Sequence, residues 1–247
     1  MIISVINHSH TLGDEVVQVV IRAINRQIAQ DFEPYWSFGA TLRLEGAIGE
    51  RPSTQSLSDM RGDAVIYLVD GTNAAGASGW HTANYKDISY GLVFLGLCEQ
   101  MKEPWSITLS HEALELMGDP MGNLLVEGTH PFDHRHEVFH LFEMCDAVLC
   151  ESYLIDAVAV SNFVLPSYFS PGEQFGRRND FLGRVFEGKT LPSFGMNPGA
   201  YLNIFDPKTG RWEQPVYESD QAALLRKKFK SKVTAGRIYR RLHPVQS

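Results

Sequence analysis

The chain has 247 residues, of which 44% are hydrophobic, 11% aromatic and 21% charged. This composition is ordinary for a globular protein and excludes disordered and fibrous classes. Its apolar runs fall short of the roughly 20 residues that cross a bilayer, and its first residues lack the basic region of a signal peptide. We therefore expect a cytoplasmic protein without membrane contact, although a virion component made in the cytoplasm would have the same features.

Charge is unevenly distributed along the chain. Residues 1–219 contain 14 Lys and Arg against 28 Asp and Glu, whereas residues 220–247 contain 8 basic residues and one acid. We therefore divide the chain into a main domain, 1–219, and a basic C-terminal tail, 220–247. An acidic main domain argues against a nucleic-acid-binding core, because phosphate contacts require a basic surface. The tail either lies against the acidic domain, which we favour, or contacts an acidic partner or nucleic acid.

The three cysteines do not suggest a disulfide framework, because their odd number fits a reducing compartment. Cys145 and Cys150 lie in apolar surroundings without the spacing of a metal-binding pair. We predict that these two and Cys98 are small buried side chains, with metal binding as the second interpretation.

The first half of the chain alternates strands with one helix. Runs rich in β-branched and other apolar residues predict strands at 2–6, 41–44, 64–69 and 90–95. Residues 14–30 show helical periodicity, and Pro34 is expected to mark the end of the helix. The predicted apolar face of this helix comprises Val16, Val17, Val20, Ile21, Ile24 and Ile28.

A second helix is predicted in the middle of the chain. Ser110 is its expected N-terminal residue, and Gly118 followed by Pro120 is a strong stop signal, so the helix should be short. The polar segments 49–62 and 122–137 are predicted loops that either line a cleft or cover it.

The last part of the chain is predicted to be irregular and rich in β-structure. Strand-like sequence resumes at Phe139, and hairpins are expected at 153–165 and 201–212. The order of elements predicts an α+β (mixed α/β) fold, with a small sheet, a backing helix and a helix that carries the active site.

That second helix contains the residues with catalytic chemistry. His111 and Glu115 are four residues apart, so they project from one helical face about 6 Å apart along the axis and can share a metal ion. Glu112 lies beside them, where a carboxylate can accept a proton from water. This is the logic of the HExxH zinc helix, with a glutamate in place of the second histidine. The carboxylate also suits harder cations such as Mn²⁺ or Ca²⁺.

A third ligand must come from further along the chain. Asp119 follows His111 by eight residues, which places it about 12 Å away on a helix. The position ten residues after His111 is Met121, a side chain unsuited to a zinc site of this kind. Glu143 and Asp146 lie about thirty residues downstream and are the better candidates, with the choice between them open.

These motifs resemble a family of uncharacterised bacterial and phage proteins that are regarded as zincin-like metallopeptidases. The resemblance is carried by Trp105–Pro120 (WSITLSHEALELMGDP), by Glu143 to Asp146 in the pattern ExxD, and by the segment Val160 to Pro166. The SHExxE and ExxD pair is also similar to the plant EXORDIUM/phosphate-induced proteins. The family has Asp where this chain has Asn162, and Ala or Thr at Gly118.

The resemblance implies that His111 and Glu115 are zinc ligands, that Glu112 is the general base and that Glu143 or Asp146 completes the site. The expected reaction is hydrolysis of an amide in a peptide or protein substrate through a metal-activated water. His81 is a candidate for stabilising the oxyanion or orienting the substrate, and its alternative is a hydrogen-bonded core residue. Tyr153 is a candidate for the same role, and its alternative is a packing residue near a strand.

Two other functions stay open. The protein is alternatively a non-enzymatic virion or tail component that keeps the zincin scaffold with a structural metal or none. The third possibility is a nucleic-acid-associated protein that uses the basic tail. A further histidine group, His130, His134, His136 and His140, suggests a second metal site, but its spacing favours a solvated loop.

Overall fold

The computed structural model describes residues 1–45, 62–72, 77–172 and 178–217. The predicted basic tail, 220–247, lies outside the described residues, and so does the predicted loop 49–62 apart from Gly62. The described part of the chain is a mixed α+β fold with several sheets, as the sequence predicted.

The main sheet has five strands in the order β2-β1-β3-β5-β4. Four strands are parallel, and the edge strand β4 runs antiparallel to β5. Most of the parallel strands are apolar and largely buried, which is typical of a sheet covered on both faces. The bounds are β1 Ile2–Asn7, β2 Thr41–Glu45, β3 Ala64–Val69, β4 Gly79–Ala83 and β5 Ser89–Phe94.

The backing helix α1, Asp14–Gln27, continues through a π-helical turn, Ile28–Phe32, into the short helix α2, Glu33–Trp36. The predicted end at Pro34 is therefore wrong by a few residues. Proline is tolerated at the start of a helical segment because its missing N–H has no partner there. The predicted apolar face is buried except at Val16, which is 50% exposed.

Two more helices, α3 (Leu95–Gln100) and α4 (Trp105–Gly118), follow the sheet. Helix α4 ends at Gly118 as predicted, but it begins at Trp105 and is longer than expected. Ser110 lies in its middle, where its hydroxyl donates to Gln27 Oε1 at 2.6 Å and accepts from the Ser161 backbone N–H at 3.1 Å. The serine therefore ties α4 to α1 and to the C-terminal part, and it is not a cap.

The C-terminal part adds a four-stranded sheet in the order β11-β10-β7-β6 and a β8-β9 hairpin. The prediction of a loop at 122–137 is wrong, because β6 and much of β7 occupy it. Both predicted hairpins are present, and Asp156 and Ala157 form the β8-β9 turn with φ of 48° and 66°. The bounds are β6 Leu125–His130, β7 Asp133–Leu141, β8 Ser152–Ile155, β9 Val158–Ser161, β10 Ile204–Asp206 and β11 Arg211–Glu213.

The two faces of the main sheet bury different sets of side chains. Alternate residues of β3, such as Ile66 and Leu68, join a large core with α1 and α4. The intervening residues Val65 and Tyr67 pack on the opposite face in a smaller cluster. Both α1 and α4 also contact β9, so the site helix is enclosed by the sheet and the C-terminal part.

Within the described ranges, the helices are all too short or too polar to span a membrane.

Candidate metal centre

Seven buried side chains with metal-binding or acid-base chemistry converge between α4, β4 and the segment that follows β7. Helix α4 is buried from Thr108 to Met117, so its polar side chains point into the protein rather than into solvent. Each of the seven residues is at most 4% exposed. They are His81 from β4, then His111, Glu112 and Glu115 from α4, and Glu143, Cys145 and Asp146 from the segment after β7.

His111 lies between two carboxylates. Its Nε2 is 3.1 Å from Glu115 Oε2 and 3.4 Å from Asp146 Oδ1. Donor atoms bound to one tetrahedral zinc ion at 2.0–2.2 Å lie about 3.4 Å apart. The distances from His111 Nε2 to Glu115 Oε2 and to Asp146 Oδ1 are therefore close to those of donor pairs that share a zinc ion.

His81 faces the same helix from the edge strand. Its Nδ1 is 3.2 Å from Glu112 Oε2 and 4.0 Å from Glu115 Oε2. The ring is 1% exposed, and Nε2 has no hydrogen-bond partner among the residues that the structure describes. His81 is thus a neighbour of the predicted base, and its second nitrogen is available to a ligand.

Two groups of three donors each have all their ligand atoms within 4.8 Å of one another. One group is His111, Glu115 and Cys145, and the other is His81, Glu115 and Glu143. These buried groups could hold a metal ion. Glu143 and Asp146, the alternatives for one position, therefore lie near different histidines: Glu143 groups with His81, whereas Asp146 contacts His111.

Cys145 belongs to the site, although the sequence analysis gave metal binding only as its second interpretation. Its backbone N–H donates to Glu115 Oε1 at 3.1 Å and so fixes the orientation of that carboxylate. Burial raises the pKa of the Cys145 thiol well above its usual value, and the charge of Glu115 raises it further. Cys98 is buried as predicted, but the prediction of a buried Cys150 is wrong because that side chain is exposed.

Gly79 allows β4 to approach α4 closely. A Cβ atom at this position would lie 2.6 Å from Glu112 Oε1 and 2.7 Å from Thr108 Cγ2. Any larger residue here must displace the strand or the glutamate. The glycine is therefore part of the reason that His81 and Glu112 can contact each other.

Two other predicted candidates, and the excluded Met121, lie outside this centre. Asp119 accepts a hydrogen bond from the Leu124 N–H at 2.8 Å and holds the turn that follows α4. Tyr153 donates to Asp31 Oδ2 at 2.8 Å. Burial raises the pKa of Tyr153, and this hydrogen bond raises it further. Met121 lies just beyond the helix, as expected for a residue outside the ligand set.

The four further histidines lie on strands β6 and β7, so the expectation of a loop is wrong. Of the four, only His134 is exposed to solvent. His136 Nε2 is 3.1 Å from Asp206 Oδ1, and its ring stacks on His130. His140 is buried and donates from Nε2 to the Thr129 carbonyl at 2.9 Å, while His134 is exposed. Across the described residues, these histidines form no tight three-donor group.

No family model, curated protein or solved structure matches the chain. The resemblance to zincin-like peptidases therefore stays a prediction from the motifs.

Proposed function

We propose that this protein is a metal-dependent hydrolase, and specifically a zinc peptidase. The observation that carries the proposal is the buried arrangement of Glu115 and Asp146 around His111 Nε2, at 3.1 and 3.4 Å, with Glu112 on the same helix. Carboxylates are rarely buried unless they are paired or bind a cation, and this pocket collects four of them.

The donor set fits zinc. Imidazole nitrogen and carboxylate oxygen are both ligands of Zn²⁺, and a catalytic site takes three protein ligands and leaves one position open. His111, Glu115 and Asp146 would be those three ligands. A zinc ion held there would supply Lewis-acid chemistry for the scissile carbonyl and would make a bound water easier to deprotonate.

Glu112 is the proposed general base. A carboxylate next to the ligands in sequence reaches the same space as they do, and it takes the water proton and returns it to the leaving amine. His81 Nδ1 donates to Glu112 Oε2 and so orients the carboxylate. His81 therefore acts on the base directly.

A peptide or protein substrate is proposed because the site lies beside an edge strand. Strand β4, which contains His81, is the last strand of the main sheet and pairs with β5 on its inner side. An extended peptide can add to such an edge through main-chain hydrogen bonds, with side chains read in alternate positions.

The test compares zinc content with hydrolysis of a peptide library. Elemental analysis should find zinc in the native protein and less zinc in His111→Ala and Glu115→Ala. Glu112→Gln should keep the zinc and lose hydrolysis at least about hundredfold, the usual contribution of a general base. His136→Ala, a histidine outside the centre, is the matched control and should change neither. Full activity in Glu112→Gln refutes the base, and a metal-free protein after zinc supplementation refutes the site.

The second candidate is a structural zinc in a non-enzymatic scaffold, such as a virion component. It is favoured by Cys145, because its Sγ lies within 4.8 Å of donor atoms of His111 and Glu115. A fourth protein ligand would close the site to water, as in structural zinc sites. Cys145→Ser should then release zinc and lower the melting temperature, whereas a catalytic site without the thiol keeps its zinc. The compartment and the role of the basic tail stay predictions.

A further inference from the structure

We infer that the pocket binds a second divalent cation, through His81, Glu143 and Glu115, so that Glu115 bridges two metal ions. This inference rests on the proposed function, because Glu115 is also a ligand of the zinc near His111. It changes His81 from a substrate-orienting residue into a ligand, and it gives Glu143 a role distinct from that of Asp146.

The centre contains more donor side chains than one zinc ion takes. Seven buried side chains converge here, whereas a single catalytic zinc takes three protein ligands. With His111, Glu115 and Asp146 assigned to that ion, and Glu112 to the base, His81 and Glu143 are further donors outside that set. These two and Glu115 have ligand atoms that all lie within 4.8 Å of one another.

The Glu115 carboxylate lies between the two histidines. Its Oε2 lies 3.1 Å from His111 Nε2, and one of its carboxylate oxygens lies within 4.8 Å of ligand atoms of His81 and Glu143, so one carboxylate faces both histidines. Its Oε1 is held by the Cys145 N–H at 3.1 Å, which fixes the group between them. A carboxylate shared between two ions about 3.5–4 Å apart is the usual bridge in two-metal hydrolases.

His81 supplies an independent indication of a ligand. Its ring is 1% exposed, and its Nε2 has no hydrogen-bond partner in the described part of the chain. A histidine that binds metal through one nitrogen usually donates its other N–H to a carboxylate, which orients the ring. The 3.2 Å contact between Nδ1 and Glu112 Oε2 is of this kind and leaves Nε2 for a cation.

Charge is consistent with two ions. The buried carboxylates of Glu112, Glu115, Glu143 and Asp146 carry four negative charges when ionised, and two divalent cations balance them. A donor set of one imidazole and two carboxylates suits Zn²⁺ or Mn²⁺.

The experiment counts metal ions in the full-length protein. Stripped protein is titrated with Zn²⁺ by calorimetry, and the bound metal is counted by elemental analysis after gel filtration. Native protein should bind two equivalents. His81→Ala and Glu143→Ala should each bind one, Asp146→Ala should also bind one, and Glu115→Ala should bind fewer than one. His136→Ala is the matched control for adventitious binding and should keep both equivalents.

A second measurement uses native protein alone and so does not depend on the folding of variants. Loading with Mn²⁺ should give an exchange-coupled electron paramagnetic resonance signal, because a bridging carboxylate couples the two ions. One zinc equivalent in native protein, unchanged in His81→Ala, together with an uncoupled manganese signal, overturns the inference. If that single ion is lost in His111→Ala and the native protein still hydrolyses peptides, the proposed function stands. Absence of any bound metal removes both.

Discussion

Replacing Gly79 with alanine tests whether the close contact between β4 and α4 builds the site. The new Cβ atom would lie 2.6 Å from Glu112 Oε1 and 2.7 Å from both Glu112 Cγ and Thr108 Cγ2. Glu112 cannot simply rotate away, since it is 3% exposed and its Oε2 contacts His81 Nδ1 at 3.2 Å. Either the strand moves outward or the carboxylate leaves its position.

The expected loss follows from the size of the clash. Inserting one methyl group into a packed interior destabilises by about 1–3 kcal/mol. For a chain of this size, each kcal/mol lowers the melting temperature by about 2–4 °C, so Gly79→Ala should melt about 2–12 °C below native protein. Misplacing a catalytic group by about 1 Å reduces the rate about hundredfold, so hydrolysis should fall by that order. The zinc at His111 should stay bound, since Glu112 is not among its three proposed ligands.

The measurements are thermal unfolding by circular dichroism, zinc content and peptidase rate. Gly91→Ala is the matched control, because Gly91 is the register partner of His81 on β5 and its new Cβ would approach no atom closer than 3.3 Å. Its melting temperature should fall less. The reasoning is refuted if Gly79→Ala melts and reacts like native protein, or loses no more stability than Gly91→Ala.

Two further predictions concern buried polar groups away from the metal centre. Asn162 donates to Glu151 Oε2 at 3.0 Å and to Asp180 Oδ2 at 2.9 Å, so Asn162→Asp places three carboxylates together. The substitution should lower the free energy of unfolding, measured with urea at pH 7, by at least about 3 kcal/mol. An unchanged urea midpoint in Asn162→Asp would contradict this, and Asn162→Leu is the comparison variant. Burial lowers the pKa of His140 to about 4 from 6.5. The unfolded chain therefore binds the proton more readily, and stability present above pH 6.5 is lost as the pH falls toward 4. The loss should be about 2–3 kcal/mol and nearly absent in His140→Gln, as measured by urea unfolding at pH 7 and 4.5.

Much of the fold could be predicted from local sequence because its core strands are locally distinct. The segments at β1 and β3 are rich in β-branched residues and the segment at β5 is largely apolar, which is what a covered sheet requires. Strand β4 carries no such signal. Its sequence, GWHTA, includes a glycine needed for the approach to α4 and a histidine that faces the site. The β6-β7 hairpin was missed for a related reason, because most of its exposed positions are polar or charged.

The site was predictable where its geometry is local. The four-residue spacing of His111 and Glu115 is a property of the helix itself, and any helix over this segment brings them together. The position of His81 depends instead on the pairing of β4 with β5, in which His81 opposes Gly91. The backbone N–H of Cys145 also reaches Glu115 only through the tertiary fold. No spacing rule in a single sequence contains those two contacts.

Removing the metal should destabilise the folded protein, and the size of the effect measures how far the pocket depends on it. A ligand at a hundred times its dissociation constant that binds only the folded state stabilises it by about 2.7 kcal/mol. At this chain length, that corresponds to a fall of about 5–11 °C in melting temperature when a chelator is added. Glu115→Gln should show a much smaller chelator effect, because the residue common to both donor groups is changed. His136→Ala should show the full effect.

An identical melting temperature for native protein with saturating zinc and with chelator would mean that the folded and unfolded chains bind zinc alike. The buried carboxylates around His111 would then be ordinary core structure, and the peptidase proposal would lose its metal.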